Sequence, residues 1–345
     1  MTARRTKTLF AAGLALTMMP ELAVAQDSIT VAAWGGASQA AQRKAQFDLV
    51  EEKLGITVLE DTTSGIKDVR LQVASGSPTW DLVHQGNYSC IILEREGLLE
   101  PLDESVLGIE GIPDEMKSEY WVANFVYSAV LAWNTDTYGD NPPSKWADMW
   151  DTETFPGPRS MRRDPAYNLE AALLADGVPM DELYPLDVDR AFEKLAELKD
   201  NISLWWSSGA QSAQTLQDGE AEMIGIWNGR AQDLQSTGAP VAITFNQQML
   251  LTDCWVIPKG APNKDLAMKA LAIMSSAEAQ AELTKYINYG PSNVDAFETG
   301  IIPEDVAKGL PNYPENAAKG FLLDANYWAD HLDELTQRFN FFIQE

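Results

Sequence analysis

The chain has 345 residues and carries 51 acidic against 25 basic side chains, a formal charge of −26. A field of that sign repels nucleic acid and anionic lipid headgroups and concentrates cationic solutes near a cleft, although an acidic surface is also ordinary for an exported protein. The length exceeds what a single core usually supports, so two lobes are expected.

Residues 1–25 read as a targeting segment. Arg4, Arg5 and Lys7 give a positive start, residues 9–19 an apolar run too short to span a bilayer, and Ala23-Val24-Ala25 a small-x-small cleavage site. Cleavage after Ala25 removes Arg4, Arg5, Lys7 and Glu21, takes the formal charge to about −28 and delivers the mature chain to the periplasm. No cysteine follows the apolar run, which speaks against a lipid anchor.

A β-branched run at 28–33 ends in Trp34-Gly35-Gly36, after which Ala40, Phe47, Val50 and Leu54 recur at helical spacing. Gly55 stops that helix, and a second strand is predicted at 56–59, a helix at 66–74 and a third strand at 81–84. Such alternation implies a parallel sheet covered by helices. Its ligands sit beyond the carboxyl ends of the strands, where Trp34 and residues 84–88 fall. Residues 120–133 are aromatic and β-branched without helical period and predict strands crossing into a second lobe, with a boundary near residue 135. Pro-rich loops at Asn141-Pro142-Pro143 and Phe155-Pro156-Gly157-Pro158 lead into helices around 169–175 and 188–198. Strands are predicted at 202–206, 221–227, 241–245 and 254–257, then helices at 264–275 and 277–286. Trp328, Leu332, Leu335 and Phe339, spaced by three and four, place an amphipathic helix over 326–343. The fold class is α/β: residues 26–134 with 261–310 form one lobe, 135–260 with 311–345 the other.

Cys90 and Cys254 are too few for a disulfide framework, and they are expected as two buried free thiols, with a bridge as the alternative. The two histidines, His84 and His331, have no ligand-spaced companion, and no serine elbow, P-loop or dinucleotide fingerprint occurs. Neither a metal, a cofactor nor an enzyme activity is expected, and His84 reads as a satisfied structural residue.

Several motifs in order resemble the periplasmic spermidine and putrescine binding proteins of bacterial ABC importers and their relatives for other small amines. They are Trp34-Gly35-Gly36, Asp81-Leu82-Val83, the run from Gly97 to Asp103, Val130 to Asp136, Ile226-Trp227-Asn228-Gly229-Arg230, Trp255 to Lys264, and Ile287-Asn288-Tyr289-Gly290-Pro291. The resemblance implies the periplasmic binding protein fold, two α/β lobes joined by crossing strands that close on a solute, a monomeric carrier and an inner-membrane permease as partner. It also implies an aromatic box with carboxylates, because an ammonium leaving water needs acceptors and a compensating charge, and aromatic faces attract it. Residue by residue it puts Trp34, with Gly35 of its loop, at the first aromatic position, Trp227 at the second-lobe stacking position, Tyr289 at the late tyrosine and Asp253 at an amine-binding acid. Asn87, Asn228 and Trp255 complete the candidate ligand-binding set. Each has a plainer alternative: core packing for the aromatics, strand-end capping for Asp253.

Two departures change the expected solute. Arg230 stands where polyamine binders place a second acid after the tryptophan and glycine, and Tyr167 stands near their middle-lobe glutamate. A guanidinium repels a second ammonium but grips a carboxylate bidentately. The expected ligand is therefore a zwitterionic ω-amino acid such as 4-aminobutyrate, with Asp253 on the ammonium and Arg230 on the carboxylate. A polyamine is the alternative, and an exported enzyme or sensory binding protein the third reading. A plain surface ion pair is the competing role for Arg230.

Overall fold

The computed structural model describes residues 27–344, so the expected targeting segment lies outside the described residues. Strands β1 (Ser28–Ala33), β2 (Thr57–Thr62), β3 (Leu82–Gly86), β4 (Trp121–Asn134), β5 (Arg159–Arg162), β6 (Ile202–Trp206), β7 (Met223–Trp227) and β8 (Val241–Val256) run in the order β2-β1-β3-β8-β4-β7-β5-β6. β1 is parallel to β2 and β3, and β5 is parallel to β6 and β7. Between these triplets lie β4 and β8, antiparallel to each other and to their outer neighbours β7 and β3. Two parallel α/β units are thus stitched together by two long crossing strands, as expected from the alternation of elements.

Strand alternation builds the core. Val31, Leu82 and Trp255 are buried on one face of the first unit, while Ala32, Val83, Cys254 and Val256 are buried on the other. In the second unit Val130, Ala132 and Ile224 face one way, and Ala129, Leu131 and Met223 face the other, beneath the C-terminal helix Ala325–Phe342. Trp328, Leu335 and Phe339 of that helix are buried, as its spacing requires.

Three corrections to the expected elements have identifiable causes. β8 is one strand of 16 residues rather than two short ones, because pairing with β4 carries the backbone through its polar middle. There Gln247 accepts from the Trp146 backbone and indole N–H groups, and Gln248 donates to the carbonyls of Pro311 and Asn316. β5 was not expected; two of its four residues are arginines. Arg159 is nevertheless fully buried, because its guanidinium donates to the carbonyls of Met149, Phe155 and Gly157 and to the Tyr138 hydroxyl. The helices Asn87–Arg95, Gly209–Gln217 and Asn228–Ser236 were also missed; they are short, the first and third start directly at strand ends, and Gly209–Gln217 follows β6 after two residues.

Cys90 and Cys254 are bridged, contrary to the free-thiol expectation. β3 lies beside β8 with Gln85 opposite Cys254, and Cys90 sits on the helix that follows β3, so the two Cα atoms are 6.7 Å apart despite a separation of 164 residues. That distance lies within the span a disulfide bridges. Closing so long a loop restricts the unfolded chain, so replacing both cysteines by alanine is expected to cost about 2–4 kcal/mol. The midpoint of urea unfolding checks this, and an unchanged midpoint would show that the bridge contributes nothing.

Candidate functional site

Parallel strands deliver their loops at their carboxyl ends, and these ends from both units converge on one cavity of about 530 Å³. Trp34 and Gly35 follow β1, Tyr88 follows β3, Arg162 ends β5, Ser208 follows β6, and Trp227 with Arg230 follow from β7. The crossing strands supply Phe125, Tyr127 and Asp253, and Tyr289 closes the wall. Gly35 holds the turn that turns Trp34 toward the cavity, at φ 70°, a conformation that suits glycine. At Gly209 a side chain would meet Arg230 Nε at 2.7 Å and the Trp227 ring at 3.1 Å, so glycine there lets the second-unit helix approach both.

Asp253 faces the cavity from the point of β8 where Gly86 and Phe125 lie opposite it. It is only 7 % exposed, and its Oδ2 accepts the Trp34 indole N–H at 2.8 Å. Burial pushes its carboxyl up to about 7, against the opposing pull of the Trp34 N–H, the Tyr127 hydroxyl and Arg162. Behind it stands His84, its Nδ1 3.7 Å from the same oxygen. Complete burial brings the imidazole down to about 3 and keeps it neutral, with the amides of Gln42 and Asn124 3.4 Å away and the Trp255 ring 4.4 Å away between centroids. His84 is thus the satisfied structural residue that was expected.

Aromatic rings fill the middle of the slot. Tyr127 meets Trp227 edge-on at 6.1 Å and Tyr289 at 5.4 Å, and Phe125 lies 4.9 Å from Tyr289. Tyr167 takes a positive φ of 75° at the start of the helix Asn168–Ala175. The buried Glu170 holds it there, accepting from the Tyr167 backbone N–H, the Tyr184 hydroxyl and the Trp328 indole. Burial pushes the Glu170 carboxyl up to about 7 as well, but these bonds aim it away from the cavity lining.

Seven of the ten candidate residues line this one cavity: Trp34, Gly35, Tyr167, Trp227, Arg230, Asp253 and Tyr289. Three lie off it. Trp255 is fully buried beside His84 and Phe47. Asn228 accepts from the Ser128 N–H and donates to Gln232 and the Asn288 carbonyl, tying a helix start to β4. Asn87 accepts from the Tyr88 N–H and borders a separate surface groove with Arg95. Among the lining residues that sequence reasoning missed, Phe125 and Tyr127 carried a signal, since they alternate along one face of the crossing strand. Arg162 carried little: its guanidinium lies 5.1 Å from the Tyr167 ring and 5.2 Å from the Trp227 ring, contacts invisible in the sequence.

The arrangement offers a buried carboxyl, guanidinium groups and aromatic faces in one slot, which suits capture of a charged small molecule. Among the described residues no cluster of His, Cys, Asp and Glu could hold a metal ion, and no helix is long and apolar enough to cross a membrane.

Comparison with known proteins shows the family. A family model described as bacterial extracellular solute-binding protein matches residues 45–312. The gamma-aminobutyric acid-binding protein of Pseudomonas aeruginosa is 38% identical over 322 residues, 91% of this chain and 90% of that protein. Spermidine/putrescine-binding periplasmic protein 1 of Haemophilus influenzae is 26% identical, covering 85% of this chain and 81% of its own length. A solved ABC transporter substrate-binding protein from Bradyrhizobium japonicum superposes with a TM-score of 0.89 at 43% identity, covering 92% of this chain and 99% of its own.

Proposed function

Because the chain belongs to the bacterial extracellular solute-binding proteins, we propose that it captures a zwitterionic amine in the periplasm and delivers it, unchanged, to an inner-membrane ABC permease. The observation that carries this reading is the shared cavity of Asp253 and Arg230, reached from different units of the fold with aromatic rings between. Asp253 takes the ammonium, Arg230 the carboxylate, and Trp34, Trp227, Tyr167 and Tyr289 cover the aliphatic spacer. 4-Aminobutyrate is the simplest such solute, and the Pseudomonas relative, by its name, binds it. In this reading the targeting segment is cleaved after Ala25, the mature protein acts as a monomer, and the lobes comprise residues 26–134 with 261–310 and 135–260 with 311–345, except that the end of β8 carrying Asp253 to Val256 crosses over to pack beside β3 of the first unit. β4 and β8 are their hinge.

A panel of 4-aminobutyrate, putrescine, spermidine and a betaine tests the reading by thermal shift. A solute bound only by the folded, closed protein adds RT ln(1 + [L]/Kd), about 2.7 kcal/mol at a hundredfold excess over Kd. Stabilisation is expected with 4-aminobutyrate and not with putrescine. The Haemophilus relative motivates the polyamine alternative, and the reverse ranking would establish it. Recovery of 4-aminobutyrate unchanged after prolonged incubation separates a carrier from an enzyme.

A further inference from the structure

We propose that Arg162 forms a second oxyanion subsite, at the Asp253 end of the slot and additional to Arg230, so that the preferred solute is an amine carrying two acidic groups, one of them on the amine-bearing carbon. This rests on the reading of Asp253 and Arg230 as the two ends of a zwitterion site and extends it.

Two arginines of β5 behave differently. Arg159 has its guanidinium fully engaged by carbonyls and a phenol of the fold. Arg162, at the carboxyl end of the same strand, has its Nη2 3.4 Å from Asp164 and its guanidinium beside the Tyr88 hydroxyl, while its Nη1 is buried with no hydrogen-bond partner among the described residues. Trp227 Nε1 and Arg230 Nε are buried without partners too. Buried donors are almost always paired in folded proteins. All three donors belong to residues lining the one cavity but are shut off from it as it stands, so the oxygen atoms of a solute would pair them only as the slot closes around it. A narrow space behind Trp227, also lined by Arg162 and Tyr167, measures about 10 Å³. It holds one water at most, within reach of Arg162 and Trp227 but not of Arg230, which does not line it.

Position and volume define the second group. The Arg162 guanidinium is packed against the Tyr167 and Trp227 rings, and it is close enough to Asp253 to oppose the rise of that carboxyl. Arg162 therefore serves the ammonium end of the slot. The cavity of about 530 Å³ falls in the range that encloses drug-sized ligands, more than a short unbranched amino acid fills.

Glutamate and 4-aminobutyrate are the matched probes, because glutamate adds a carboxylate to the amine-bearing carbon and changes nothing else. Calorimetry on the mature protein is expected to show glutamate binding at least about tenfold tighter. Arg162→Met should erase that advantage, its loss on glutamate exceeding its loss on 4-aminobutyrate by about tenfold or more. Arg162→Lys, which keeps the charge and loses the fork, should fall between the two and carries the test if the methionine variant fails to fold. Equal losses on both solutes would reduce Arg162 to a packing residue and overturn the proposal. So would a wild-type protein that binds 4-aminobutyrate more tightly than glutamate in an Asp253-dependent manner, which would leave the zwitterion reading standing. Failure of both solutes to bind would remove the zwitterion reading, and this proposal with it.

Discussion

Asp253→Asn is expected to weaken binding of 4-aminobutyrate, or of any solute held by its ammonium, by about 10²- to 10³-fold in calorimetry. The substitution keeps the shape of the side chain, so the loss measures charge and hydrogen-bond polarity. In the native site Oδ2 accepts the Trp34 indole N–H, leaving Oδ1 for the solute. An asparagine can present only one oxygen to these two donors and turns its amide hydrogens toward the other. The ammonium, out of water, then has no compensating charge. A loss smaller than about threefold would mean that the ammonium is held elsewhere.

The same carboxyl sets a pH dependence. With the empty site's Asp253 pushed up to about 7, a large share of the protein is protonated at neutral pH, and an ammonium binds only the ionised form. Affinity should fall about tenfold for each pH unit below 7 and level off above it. His84, held neutral down to about 3, and Tyr167, pushed up to about 12, are silent between pH 5 and 8. Glu170 titrates in the same window but lies off the cavity; the Asp253→Asn variant, whose profile should be flat, separates the two. For the stability of the empty protein the sign is the opposite of the usual carboxylate case. The folded value lies above the unfolded one, so the favourable contribution of the protonated acid is lost as pH rises through about 7. Asp253→Asn should therefore stabilise the empty protein more at pH 8 than at pH 5, the signature of a carboxyl kept for its solute rather than for the fold.

Much of this arrangement was legible in the sequence because local pattern and tertiary demand coincide there. The run at 28–33 became β1, residues 66–74 the helix Ile66–Ala74, and the Trp328-to-Phe339 spacing the C-terminal helix. Where tertiary contacts override local pattern, legibility ended. The polar middle of β8 is held by pairing with β4, and the Cys90–Cys254 bridge depends on two neighbouring strands separated by almost half the chain. In the site, motif order located Trp34, Trp227, Arg230, Asp253 and Tyr289 on the cavity wall. It could not say that Trp255, two residues further along β8 than Asp253, sits one layer deeper against His84. Nor could it find Arg162, whose importance comes from what its guanidinium lacks in three dimensions.

Arg230→Asp should invert the charge preference of the slot. A carboxylate in place of the guanidinium puts two acids at the ends of an aromatic channel, which is the pattern the polyamine resemblance implies. The carboxylate of 4-aminobutyrate would then face a like charge in a site largely shut off from water, where such a juxtaposition costs several kcal/mol, a loss of about 10² or more in affinity. Asp233, one turn along the same helix, adds to the repulsion. Putrescine should gain, but only partly, because Arg162 still lies near Asp253 and opposes an ammonium there. The full change of preference is expected only when Arg162→Met is combined with Arg230→Asp, and because both residues line one cavity their effects should not add independently. Retention of 4-aminobutyrate affinity within about threefold in the Arg230→Asp variant would show that this guanidinium does not hold the solute's carboxylate. A putrescine gain in the double variant no larger than in the single one would show that Arg162 does not govern the ammonium end.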